Sequence, residues 1–94
     1  MGEMNKTAVI ELLKKQNPKA KLAEIAMYAD AYMDYMAAQR NIDAHGSIVF
    51  HPRTGAPIDN PYLRVREKSG ATMRSLKFIK ADAVWELNPE GGNP

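Results

Sequence analysis

The chain has 94 residues and a net charge of +2, from 13 Lys and Arg against 11 Asp and Glu, with two His and no Cys. That length allows one small domain and no second core of useful size, and the missing cysteines exclude disulfide staples and thiolate-bound zinc. No apolar run nears the roughly 20 residues that cross a bilayer, and MGEMNKTAV lacks a signal-peptide core, so the reading is a soluble intracellular protein with no membrane partner.

Met4 offers a second start, and the Met-Gly-Glu before it is given no functional weight. The first element, NKTAVIELLKKQNPKAK, reads as a short helix with Asn5 or Thr7 as N-cap, apolar Val9, Ile10, Leu12 and Leu13, and lysines in its last turn. Asn17-Pro18 then breaks it, because proline keeps the preceding residue out of helical geometry. From Lys19 or Ala20 to about His45 no Gly or Pro intervenes, which predicts one helix roughly 36 Å long.

Two apolar stripes run along that helix at helical spacing. Leu22, Ile25, Ala29, Tyr32 and Met36 form one, and Tyr28, Ala31, Tyr35, Ala38 and Ile42 the other, leaving a narrow polar face around Asp30, Asp34 and Asn41. A helix apolar over so much of its circumference needs cover on two sides, and the remaining chain is too short to supply it. The expectation is therefore a homo-oligomer whose interface includes Tyr28, Tyr32, Tyr35, Met36 and Ile42. Met27, Met33 and Met36 are read as apolar filling.

Gly46 is placed to stop the long helix in left-handed geometry. SIVFH has the β-branched and aromatic residues of a strand, PRTG reads as a turn closed by Gly55, and GAPID returns antiparallel with Pro57 confined to an edge. The prediction is a hairpin at about 47–58, and a lone hairpin is marginal in water, so it must pack on something. Asn60 then caps a third helix whose first residue is Pro61. Its apolar face is Tyr62, Val65, Ser69, Met73 and Leu76, and it runs to about Lys77 or Ile79. KADAVWEL follows as a short helical turn with Trp85 and Leu87 as docking groups, and NPEGGNP is an unstructured tail. The fold class is mainly α: a single helical domain over residues 1–87 with a hairpin insertion, and a tail at 88–94.

Catalytic readings fail on spacing. His45 and His51, with Asp43 and Asp59 nearby, do not make a metal site at that spacing, no serine sits in a nucleophile turn, and neither a Walker A nor a GxGxxG motif is present. No cofactor is expected, and the chain is not read as an enzyme.

The run IDAHGSIVFHPRTGAPIDNPYLRVREKSGATM, entered from an Ala- and Tyr-containing helix, resembles the phage terminase small subunit family over roughly Ala26 to Leu76. Gly46, Gly55, Asn60 and Pro61 match the family pattern as residues that shape a joint between helices. After Leu76 the chain departs from the Leu-Gly-Leu-Thr-Pro-like tail of many members. The resemblance implies a non-enzymatic component of a DNA-packaging motor in the host bacterium's cytoplasm. Such a component is an oligomer, often a ring, that recognises double-stranded viral DNA and delivers it to the large ATPase and nuclease subunit.

Charge segregates into four blocks: +3 over residues 1–21, −3 over 22–46, +5 over 47–80 and −3 over 81–94. Such alternation permits a local anion-binding surface and also association between unlike blocks. On the third helix, Arg66, Gly70, Arg74 and Lys77 fall in one line, with Arg64 and Lys68 on the other flank, a first candidate for phosphate contacts. The same pattern also fits a glycine that admits a neighbouring helix and arginines that solvate the surface or meet an acidic partner. Lys14, Lys15, Lys19 and Lys21 around the first turn form a second candidate, a weak helix-turn-helix without base-reading side chains. A different class stays open, a small helical regulator from a mobile element that binds a protein rather than DNA.

Overall fold

The computed structural model describes residues 5–86. Their order is α1 (Lys6–Gln16), α2 (Leu22–His45), β1 (Ile48–Phe50), β2 (Pro57–Asp59), α3 (Tyr62–Ser75) and α4 (Asp82–Glu86). The mainly α architecture with a small hairpin is the one observed. The leader, Leu87 and the tail at 88–94 lie outside the described residues.

Asn5 is the working cap of α1: its backbone is extended and its Oδ1 accepts the Ala8 N–H at 2.8 Å. The helix ends where Asn17 donates its N–H to Leu13 O at 2.9 Å and Pro18 forbids continuation. α2 begins at Leu22, slightly later than expected, because Ala20 N–H closes a turn onto Asn17 O and Lys21 remains extended (φ −68°, ψ 140°). The Glu24 carboxylate accepts the Lys21 N–H at 3.3 Å, so the first turn of α2 is steadied by its own side chain.

The shortage of cover predicted for α2 does not arise. Ile25, Tyr28, Ala29, Ala31, Tyr32, Met36, Ala38 and Ile42 are all buried within the single chain, and of the two stripes only Leu22 is exposed. α3 packs along one side of α2, while α1, with α4 against it, covers the other. Three of the eight buried residues are alanines, which a close neighbour covers with little material. The residues assigned to an oligomer interface, Tyr28, Tyr32, Met36 and Ile42, are thus interior, and Tyr35 is half-buried against the same core.

Trp85 is the centre of the α1–α2–α4 side. Its ring meets Tyr32 edge-on at 4.9 Å and Tyr35 at 5.7 Å, and its Nε1 donates to Tyr28 Oη at 2.9 Å. Burial raises the Tyr28 hydroxyl above the ordinary value of 10, the Trp85 bond pulling the other way. The neutral phenol is the form that folding favours, so this contribution is complete below pH 10 and is lost as the pH climbs through the raised value. Tyr28→Phe is expected to cost about 1–3 kcal/mol at neutral pH, since it strands a buried indole N–H. It should also flatten the alkaline fall of stability, read by urea unfolding across pH 8–12.

The third helix is rotated from its expected setting. Ser69, Gly70, Met73 and Leu76 are buried, whereas Tyr62 and Val65, assigned to the apolar face, are about 40% exposed. Gly70, which has no side chain, is buried beside Ser69, so the covered sector of the helix extends toward it. Ser69 is satisfied in that interior by its own helix, its Oγ donating to Val65 O at 2.7 Å. The helix closes at Ser75, and residues 76–79 continue as a turn in which Ile79 N–H reaches Leu76 O at 2.9 Å.

Candidate nucleic-acid interface

Two buried asparagines, each followed by proline, fix the places where the chain changes direction. Asn60 is 2% exposed and uses every polar group it has. Its Nδ2 donates to Asn41 Oδ1 on α2 and to Gly46 O, both at 2.9 Å, and its Oδ1 accepts the Tyr62 N–H at 2.9 Å. Its backbone N–H reaches Ser47 O at 2.8 Å, and its carbonyl accepts from Leu63. Pro61 already has helical dihedrals (φ −57°, ψ −24°), so Asn60 caps and Pro61 opens α3.

Gly46, at φ 84°, ends α2 with its N–H on Ile42 O at 2.7 Å, and Gly55, at φ 71°, closes the hairpin turn with its N–H on His51 O at 2.8 Å. Both need the positive φ that side chains resist. Strand register is Ile48↔Asp59, Val49↔Ile58 and Phe50↔Pro57. Val49 and Ile58 share the half-buried face, and Ile48 and Phe50 stand exposed on the other.

His51 has a structural task here. Its Nδ1 accepts the backbone N–H of Arg53 at 3.1 Å and of Thr54 at 3.4 Å, which shapes the PRTG turn. His45 is exposed at the end of α2, and no group of three or more His, Asp or Glu among the described residues is arranged to hold a metal ion.

Asn17 organises the other bend. Its Nδ2 donates to Leu13 O at 2.9 Å and to Lys80 O at 2.7 Å, and its Oδ1 accepts the Lys80 N–H at 2.8 Å. Gln16 Oε1 takes the Ala83 N–H at 3.0 Å from the start of α4. Together these bonds hold Lys80 beside the α1–α2 turn. Lys14 and Lys15, in the last turn of α1, and Lys19 and Lys21, in the bend, are all exposed there, as is Lys80. A shallow groove of about 220 Å³ opens beside Lys14, lined by Lys14, Asn17, Pro18, Ala20, Leu22 and Ile25.

Five exposed lysines around one bend are the residue type that meets phosphate oxygens as point charges. The first residues of α2 are Leu22, Ala23 and Glu24, which offer no donors for base edges. Lys80 was not assigned to this patch from sequence. It lies 63 positions from Asn17, and no local pattern announces a contact of that range.

The line along α3 is broken by the same packing that rotates the helix. Gly70 is buried, out of reach of any phosphate, and Arg66 is half-buried with its Nη1 donating to Gln39 Oε1 on α2 at 3.1 Å. Arg64, Lys68 and Arg74 do point outward, with Glu67 among them. Lys77 is exposed but follows the end of the helix. Beside Lys68 a groove of about 390 Å³ between α2 and α3 is lined by Met27, Asp30, Ala31, Asp34, Val65, Lys68, Ser69 and Thr72, and Asp30 in it pairs with Lys6 at 2.6 Å.

A family model described as phage terminase, small subunit, matches residues 7–77, more than half of the chain and including α1 ahead of the segment that carries the resemblance. No curated protein and no solved structure matches the chain. The chain belongs to the phage terminase small subunit family.

Proposed function

We propose that this phage terminase small subunit is a non-catalytic DNA-recognition component of the packaging motor, assembling with copies of itself and handing viral DNA to the large subunit in the host cytoplasm. The family supports the role. No helix among the described residues is long and apolar enough to cross a membrane.

Within that role, DNA phosphates are contacted by Lys14, Lys15, Lys19, Lys21 and Lys80. The observation that carries this choice is the pair of bonds from Asn17 to the Lys80 backbone, which adds a fifth cation to the bend. The α3 candidate is weaker, because one of its arginines is engaged with Gln39, its glycine is interior and carboxylates flank it.

Duplex DNA titrated by fluorescence anisotropy over a range of salt tests the assignment. Replacing Lys15, Lys19 and Lys80 together by Ala is expected to weaken binding at low salt on any sequence. The slope of log affinity against log salt should flatten by about 0.9 for each phosphate that is no longer neutralised. The triple replacement Arg64→Ala, Lys68→Ala and Arg74→Ala should change the slope much less. If the α3 replacements abolish binding and the lysine replacements do not, DNA lies on α3. Failure of the unmodified protein to shift DNA at low salt would remove the DNA role altogether.

A further inference from the structure

The hairpin presents an apolar face that none of the described residues covers. Phe50 is 71% exposed and Ile48 53%, and Pro57, opposite Phe50, is exposed as well. Side chains of this size in a patch mark a contact surface more often than a solvated one. The tip carries Arg53 and the returning strand carries Asp59, both exposed. The patch is thus apolar, with a cation at one end and a carboxylate at the other.

The α2/α3 groove has the opposite arrangement. Its apolar floor is Met27, 51% exposed, with Ala31 and the partly exposed Val65, and its rim sets Asp34 on α2 against Lys68 on α3, Asp30 being paired with Lys6 at 2.6 Å. About 390 Å³ is ample for one aromatic ring, since a cavity of about 150 Å³ admits benzene. The groove and the hairpin do not meet within one chain. From Asp34, the groove residue of α2 nearest the hairpin, to His45 the helix rises about 17 Å.

We propose that the groove receives the hairpin of a second copy of this chain, Phe50 entering between Met27 and Val65, Arg53 facing Asp34, and Asp59 facing Lys68. Charge complementarity at both ends of the hairpin selects this occupant and fixes its direction. The two surfaces are different, so the contact is head-to-tail, and each subunit has one of each. Repetition gives a closed ring when the rotation between neighbours divides a full turn, and a filament otherwise. The inference rests on the self-assembly included in the proposed function and names the surfaces that would carry it.

The experiment uses the full chain, which has no cysteine of its own. Sedimentation velocity of the unmodified protein should show a multimer. Phe50→Asp and Asp34→Arg should each shift it toward monomer, raising the dissociation concentration by about 30-fold or more, as truncating a central anchor does. Arg53→Glu combined with Asp34→Arg should restore assembly that either change alone weakens. The double replacement Met27→Cys with Phe50→Cys should, on oxidation, give a ladder of species beyond the dimer, whereas each single replacement stops at dimer. Far-UV circular dichroism should be unchanged for Phe50→Asp, because Phe50 is a surface residue. A multimer that persists through Phe50→Asp and gives no ladder would overturn the hairpin-in-groove contact and leave self-assembly standing. A monomer at all concentrations would overturn both.

Discussion

Trp85→Ala is expected to lower the stability of the folded chain by about 3–5 kcal/mol, the range for deleting a large buried aromatic. Small domains hold only about 5–15 kcal/mol in total, so the variant should stand near the edge of unfolding at 37 °C. The size of the effect comes from three losses at one position. The indole fills the space between α4 and the tyrosines of α2, it makes edge contacts with Tyr32 and Tyr35, and its N–H satisfies the Tyr28 hydroxyl. Trp85→Phe should recover part of the packing and leave Tyr28 short of its donor, giving an intermediate value. Unfolding is best followed by far-UV circular dichroism, because Trp85 is the only tryptophan and its replacement removes the fluorescence probe. A loss below 1 kcal/mol would mean that α4 is an ornament on the core rather than part of it.

Asn60→Ala should cost about 2–4 kcal/mol, through desolvated groups left without partners rather than through lost apolar area. Removal of the amide leaves Asn41 Oδ1, Gly46 O and the Tyr62 N–H unmatched at a position that water reaches poorly. Aspartate is no remedy. It keeps the acceptor for Tyr62 but loses both donations and sets a carboxylate against two oxygens. Asn60→Asp is therefore expected to be at least as unstable as Asn60→Ala near neutral pH, by the same urea titration. Equal stability of Asn60→Ala and the unmodified chain would show that Pro61 and Gly46 alone hold the joint.

The residues of that joint are legible in the sequence because their chemistry is local. Gly46 and Gly55 occupy positive-φ positions, and Asn60-Pro61 combines a cap with a first helical residue, each recognisable within four or five positions. Asn17-Pro18 is legible as a bend for the same reason. Its grip on Lys80 is not, since that depends on where a segment 63 residues away comes to rest.

The stripes of α2 are covered within the chain itself, a matter of material rather than of periodicity. Both stripes have the spacing expected of them, but Ala29, Ala31 and Ala38 need little cover, and Trp85 supplies more than its share. On α3 Ser69, Met73 and Leu76 are buried as their spacing predicts, but Tyr62 and Val65 are not, and Gly70 is interior. Composition alone does not tell whether a glycine on a basic helix faces a ligand or the interior. The surfaces now assigned to self-association, Phe50 and the groove around Met27, carry no sequence signal as a pair. Each is only a scatter of apolar residues until the fold places them.

The clasp between Asn17 and Lys80 also bears on the order in which the chain closes. α2 and α3 are neighbours in sequence and pack after closing a short connection, whereas α1 and α4 must be brought together from nearly opposite ends, at a larger cost in loop entropy. The five-lysine bend is complete only after that last closure. An anion that binds all five cations therefore favours the fully closed chain over one in which α4 has come away, by mass action. Were viral DNA that anion, as proposed, its binding and the seating of Trp85 would be one coupled equilibrium, in which the polyanion stabilises the fold and a loosened α4 slows capture.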